Sequence, residues 1–263
     1  MTIKINLMKT FFRIFLPSLI LFAACKKDSS SGGQQSGTTL TRIVEGTDPN
    51  LANDTVYLIS YNSGRISSVL DSLYQDSLVA TYDASGRLTE VDDIGPYSLG
   101  SATFSYDANG LLTQILSNVA GSTDKFVFEY TNGVLSKKSD YTDAGGGSFQ
   151  LWNYDVYTFN NGDITDMKEY NSAGALTFEA TYSYGSQANP FKNLSLFNFG
   201  NRLGTDDIIN FDTYFNKDIR TGFSISGLNS TSTNTFNSRQ KPTKIVFNDQ
   251  LNQWLLTWQF FYQ

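Results

Sequence analysis

The 263-residue chain carries one cysteine, no histidine, and 19 basic against 25 acidic residues, a net charge of −6. Without histidine there is no Ser-His-Asp triad, no Cys-His pair and no imidazole acid, base or metal ligand; one cysteine makes neither an intrachain disulfide nor a four-cysteine metal site. The acidic balance excludes the basic footprint of a nucleic-acid binder.

Residues 1–24 read as a secretory signal: Lys4, Lys9 and Arg13 precede an apolar run from Ile14 to Ala24 that is too short to span a bilayer. Met8, followed by Lys9, offers a second start beside Met1. Leu21-Phe22-Ala23-Ala24-Cys25 resembles a bacterial lipobox, with Phe22 where leucine is usual. Cys25 is thus the expected lipidation residue, and the membrane an expected partner through that anchor. Removing residues 1–24 takes away three basic groups and no acid, leaving 16 against 25, or −9. Residues 25–39 are rich in Ser, Gly and Gln and form a flexible linker, because they have too little apolar surface to order themselves.

From residue 40 the chain reads as short alternating strands. Thr123 to Tyr130 sets Phe126, Phe128 and Tyr130 on one face, and Ser101 to Tyr106 does the same with Ala102, Phe104 and Tyr106. A turn repeat runs through the series: YNSGRISSV from Tyr61, YDASGRLTEV from Tyr82, YDANGLLTQI from Tyr106, YTNGVLSKK from Tyr130, then FNNGDITDM from Phe159 and YNSAGALTF from Tyr170. The glycines Gly64, Gly86, Gly110, Gly133, Gly162 and Gly174 supply the φ > 0 residue of a tight hairpin, and the preceding Asp or Asn folds back in an Asx turn. Spacings of 21, 24 and 24 residues between the first four tyrosines suit two strands and two turns per unit. Tyr184-Gly185 ends the series.

After Pro190 the pattern changes. Thr205 to Phe215 opens with Thr-Asp-Asp and predicts a short helix near 205–215. Ser224 to Ser238 is polar and reads as an exposed loop, and Thr243–Phe247 with Gln253–Tyr262 reads as a terminal hairpin. The expected fold is all-β: an antiparallel hairpin-repeat sheet, a curved or incomplete barrel, in a single domain over 40–263. Its strands of five to ten residues are mostly shorter than those of a membrane barrel, so water is the expected surround.

Few constellations point to chemistry. Asp92-Asp93 and Asp206-Asp207 are adjacent carboxylates, but strand neighbours point to opposite faces and the second pair suits a helix start. No calcium-loop spacing exists, and neither a metal nor a cofactor is expected. Trp254 and Trp258 share a strand face that reads as core, leaving Trp152 as the candidate ligand-binding aromatic, with a glycan as the ligand. Asp54-Thr55, Asp71-Ser72 and Asp76-Ser77 resemble an O-glycosylation acceptor motif, making Thr55, Ser72 and Ser77 candidate modification sites.

The YDASGRLTEV and YDANGLLTQI turns resemble the YD repeats of Rhs-type shell proteins. Together with Tyr182-Ser-Tyr184, Asn189-Pro190-Phe191 and Lys241-Pro-Thr-Lys-Ile245, they also resemble a family of Bacteroidetes lipoproteins of unknown function with a porin-like β fold. The resemblance covers roughly residues 50–263 and implies a fold and a compartment rather than an activity. The expected protein is an exported outer-membrane lipoprotein, on the periplasmic or cell-surface face. Its expected role is non-catalytic binding of a glycan or envelope protein, or structural support. A carboxylate-dependent glycan hydrolase and an assembly spacer pairing through strand edges are the alternatives.

Overall fold

The computed structural model describes residues 39–46, 55–98, 100–197, 211–225, 228–249 and 254–263; residues 1–24, Cys25 and the linker up to residue 38 lie outside the described residues. The first eight strands are β1 (Leu40–Gly46), β2 (Thr55–Asn62), β3 (Arg65–Asp71), β4 (Asp76–Tyr82), β5 (Leu88–Ile94), β6 (Gly100–Tyr106), β7 (Leu112–Val119) and β8 (Ser122–Thr131). The second eight are β9 (Val134–Gly145), β10 (Ser148–Asn160), β11 (Asp163–Asn171), β12 (Leu176–Ala188), β13 (Asp218–Ile225), β14 (Leu228–Phe236), β15 (Pro242–Asp249) and β16 (Trp254–Tyr262). Each pairs antiparallel with its chain neighbours, and β1 closes on β16 with Ile43 opposite Phe260.

The barrel is therefore closed, which corrects the curved or incomplete sheet expected from sequence. Closure leaves no unpaired strand edge among the described strands, so the spacer reading loses the edge it needed. Several strands are also longer than expected: β9, β10 and β12 have 12 or 13 residues.

Alternation along the strands puts the core inside. Ile59, Val69 and Leu78 stand opposite one another on successive strands and are almost fully buried. The alternate positions form an outer ring of Ser68, Val79, Asp92, Ser101, Asn118 and Thr123. Farther round, Glu129, Lys137, Val156, Lys168 and Glu179 lie in one outward row, with the pairs Lys137–Glu129 and Lys168–Glu179 each at 3.0 Å. Apolar inside and charged outside is the reverse of a lipid-spanning barrel. Trp258, on the inner face, is fully buried in this core.

The described parts of the connection from β12 to β13 pack inside the barrel. They include 3-10 turns at Ser195–Phe197 and Phe211–Phe215. Phe191 lies 4.9 Å from Phe260 on β16, and Phe215 lies 5.5 Å from Phe128 on β8. Those two strands stand half a circuit apart in the ring, so the connection bridges opposite walls as a plug. Asn189 closes its base: the amide donates to the Thr213 and Asn216 carbonyls, and its oxygen accepts the Phe191 N–H.

Two further expectations are corrected here. The helix expected at 205–215 is a 3-10 turn over Phe211–Phe215, while residues 205–210 lie outside the described residues. Asn216 ends that turn by donating to the Asp212 carbonyl and accepting the Ile164 N–H from β11. The loop expected over 224–238 is instead mostly strand β14. Its inward positions, Ser230, Ser232 and Asn234, are small and polar, so no apolar alternation marks it.

Most of the repeat turns gather at one end of the barrel, together with the plug. Thr39 and Gln263 exchange two backbone hydrogen bonds there, so both chain ends of the barrel meet at this turn end. The turn at Asn171–Ala175 has the same Asx geometry but lies at the opposite end, because β11 runs away from the others' turns.

Candidate functional site

The repeat tyrosines build one wall of a groove at the turn end. Each hydroxyl donates to a backbone carbonyl near the start of an earlier strand: Tyr82 to Ile66 at 2.7 Å, Tyr106 to Leu88 at 2.9 Å and Tyr130 to Leu112 at 2.7 Å. Tyr61 does the same to Leu40 at 2.8 Å. Burial raises the pKa of all four phenols, so they stay protonated donors. The ladder stops at Phe159, which has no hydroxyl.

Cations lie over this ladder. The Arg65 guanidinium sits 5.7 Å above the Tyr82 ring and Arg87 sits 5.2 Å above Tyr106. Arg87 is held by Asp83 at 2.7 Å. Chiefly the Arg87 backbone N–H, and then its guanidinium, pull the Asp83 carboxyl below its ordinary range, against a smaller desolvation effect. Arg65 also rests on the backbone of Gly86, whose φ is +82°; a Cβ there would fall 2.1 Å from a guanidinium nitrogen. Across from this wall, the plug contributes Pro190, Asn193, Leu196 and Tyr214, with Lys192 5.4 Å above the Tyr214 ring.

Between wall and plug run two hollows of about 290 and 270 Å³ that meet at Gly110 and Tyr214. Their lining includes the four ladder tyrosines, Phe159, Arg65, Arg87 and Lys192, and among the described lining residues there is no carboxylate. For a chain with an excess of acids this is a marked local reversal.

A second polar cluster lies within the barrel wall of β9 and β10. Lys138 Nζ is 2.8 Å from Asp155 and 3.7 Å from Asp140, and the Tyr157 hydroxyl lies 3.2 Å from Asp155 and 2.9 Å from Asp212 of the plug. Burial pushes the Asp140 carboxyl up to about 6 and raises Asp212 in the same direction, while Lys138 opposes both. The Asp140 and Asp155 carboxylates nevertheless hold the Lys138 ammonium well above its ordinary value, despite burial. Three acids around one ammonium form a buried ion network rather than an open cleft.

The sequence candidates fall elsewhere. Trp152 is 68% exposed, at a bulge of β10 on the outer wall and outside the groove. Asp93 is buried and Asp92 faces outward; Asp206 and Asp207 lie outside the described residues. Thr55, Ser72 and Ser77 are half-buried around the far end, and Asp71 and Asp76 beside the two serines accept backbone N–H groups of Leu73 and Tyr97. Trp254's side chain is outside the described residues.

Sequence reasoning missed one turn copy. Asn237 accepts the N–H groups of Arg239 and Lys241 at 2.9 and 3.0 Å, just as Asp107 accepts those of Asn109 and Leu111. Gln240 takes the left-handed position with φ +58°, so a glycine-based pattern passes over it. The plug's Lys192 and Tyr214 were missed as well, since nothing local in sequence ties them to the tyrosine ladder.

Residues 82–123 match the RHS Repeat family. No curated protein matches the chain in sequence. In fold it is similar to a porin-like protein from Bacteroides uniformis, with 15% identity over 88% of this chain and 99% of that one and a TM-score of 0.55. It is likewise similar to a porin-like protein from Bacteroides vulgatus, with 13% identity over 86% and 99% and a TM-score of 0.54. The fold is thus a porin-like β fold with YD-repeat turns.

Proposed function

We propose that this chain is an exported envelope protein, anchored through Cys25 at the outer membrane, with a non-catalytic binding role exercised through the turn-end groove. The observation that carries the reading is the groove itself: two adjoining hollows walled by aromatics, bearing Arg65, Arg87 and Lys192, and free of carboxylates among their described lining residues. Concave sites with a few convergent polar groups are the usual seat of ligand binding. The likeness to porin-like proteins of Bacteroides supports an envelope setting.

The hydrolase alternative needs two carboxyls facing a shared cleft. Asp140, Asp155 and Asp212 do converge, but on Lys138 and Tyr157 within the wall. Among its described lining residues the groove offers no acid to protonate a leaving group, which favours binding over hydrolysis.

Two experiments test the reading. Membrane fractionation of the full chain and of Cys25→Ala tests the anchor: the variant is expected to leave the membrane pellet, and normal retention and processing sink the anchor. Retention of the protein on immobilised envelope glycans and cell-wall material tests the groove. The double variant Arg65→Gln/Arg87→Gln is expected to lose retention while Trp152→Ala keeps it; the opposite result moves the ligand site to the outer wall.

A further inference from the structure

Charge is sorted along the barrel axis. Arg65, Arg87, Lys192, Lys217, Arg239 and Lys241 all lie in or beside the turns and plug at the turn end. Among the described residues five acids share that end, and each is engaged: Asp212 of the plug accepts the Tyr157 hydroxyl. Asp83 pairs with Arg87, Asp107 accepts the N–H groups of its own turn, Asp163 accepts the Asp218 N–H, and Asp218 pairs with Lys217. At the opposite end the strand termini carry Glu45, Asp71, Asp92, Asp124 and Asp143. Among the described residues, cations thus outnumber acids at the turn-end pole of an acidic protein.

The chain also enters the barrel at that pole. Thr39 is fastened to Gln263 at the turn end, and only 13 residues lie between it and Cys25. The segment that begins at Cys25 thus joins the barrel at its basic rim.

Resting on the groove reading above, we propose that the ligand of the turn-end groove is the anionic phospholipid headgroup layer beside which the barrel is tethered, with Arg65, Lys192, Arg239 and Lys241 contacting phosphates. A negative leaflet attracts clustered cations within about a Debye length, and this attraction is screened by salt. Arg65 and Lys192, each placed over an aromatic ring, are positioned before the phosphate arrives.

The test uses the chain from residue 25 with Cys25→Ser, so that no acyl chain contributes, sedimented with phosphatidylcholine vesicles with or without about 30% phosphatidylglycerol. The protein is expected to pellet with the anionic vesicles alone. Binding is expected to fall at least tenfold in Arg65→Gln/Lys192→Gln/Arg239→Gln/Lys241→Gln, and equally on raising salt from about 0.05 to 0.5 M. The side-wall control Lys125→Gln/Lys168→Gln is expected to bind as the parent does, and matched melting curves verify folding. Equal binding to both vesicles, or equal losses in control and rim variants, overturns the proposal. Retention on an acidic soluble glycan without vesicle binding overturns it too, while leaving the groove as a binding site; silence in both assays removes both readings.

Discussion

The Tyr106 hydroxyl donates to the Leu88 carbonyl at 2.9 Å, joining the end of β6 to the beginning of β5 beneath the Arg87 guanidinium. The YD dipeptide thereby acquires two separate jobs: the tyrosine latches onto the preceding hairpin, and the aspartate shapes its own turn.

Replacing one latch should cost a hydrogen bond and leave a buried carbonyl short of a donor. Tyr106→Phe and Tyr130→Phe are each expected to destabilise the barrel by about 1 kcal/mol. Urea denaturation of the single and double variants checks this, and unchanged midpoints in both singles rule out a stabilising ladder.

Gly86 and Gly110 form a matched pair, since both have φ +82° but only Gly86 lies under Arg65. Alanine at either position is expected to cost about 1 kcal/mol or more through the left-handed backbone. Only Gly86→Ala also displaces the guanidinium, so it alone is expected to weaken groove binding. Denaturation read beside a binding assay separates the two effects.

Asp140 gives the barrel a distinctive pH response. Its folded carboxyl titrates near 6, above the unfolded value of about 3.9, so the folded state holds the extra proton between those values. Its contribution to stability is thus complete below about pH 4 and is lost as pH rises through 6. Melting temperatures of the wild type minus those of Asp140→Asn should decline from pH 4 to pH 7; a flat or rising difference contradicts the raised carboxyl.

Among the described residues, Lys138 is the ammonium that pairs with both Asp155 and Asp140. Lys138→Met leaves those acids facing one another without it, and is expected to destabilise by about 3–5 kcal/mol at neutral pH. The loss should shrink in acid as carboxyls take up protons, a trend that thermal melts at pH 4 and pH 7 would reveal.

Much of the architecture was legible because it is local. Tyr106, Asp107 and Gly110 lie within five residues, and their chemistry dictates a hairpin wherever they occur. Closure was not legible, because Ile43 and Phe260 meet only through the accumulated stagger of sixteen strands. β14 was obscured by inward serines and asparagine, and the Asn237 turn by a glutamine in the glycine's place. The groove escaped for a related reason. Its basic wall comes from repeat turns, but its opposite wall comes from Lys192 and Tyr214, on a segment whose path through the barrel no local pattern announces.

The hydrogen-bonded seam between Thr39 and Gln263 has a consequence for biogenesis. The first strand pairs early with β2 but cannot find its second partner until the last strand has been delivered, so every earlier stage leaves β1 and the newest strand with a bare backbone edge. The ring is completed only when both chain ends are present together. A chain shortened before β16 would keep two sticky borders permanently, and would be a natural client for chaperones or proteases of its compartment.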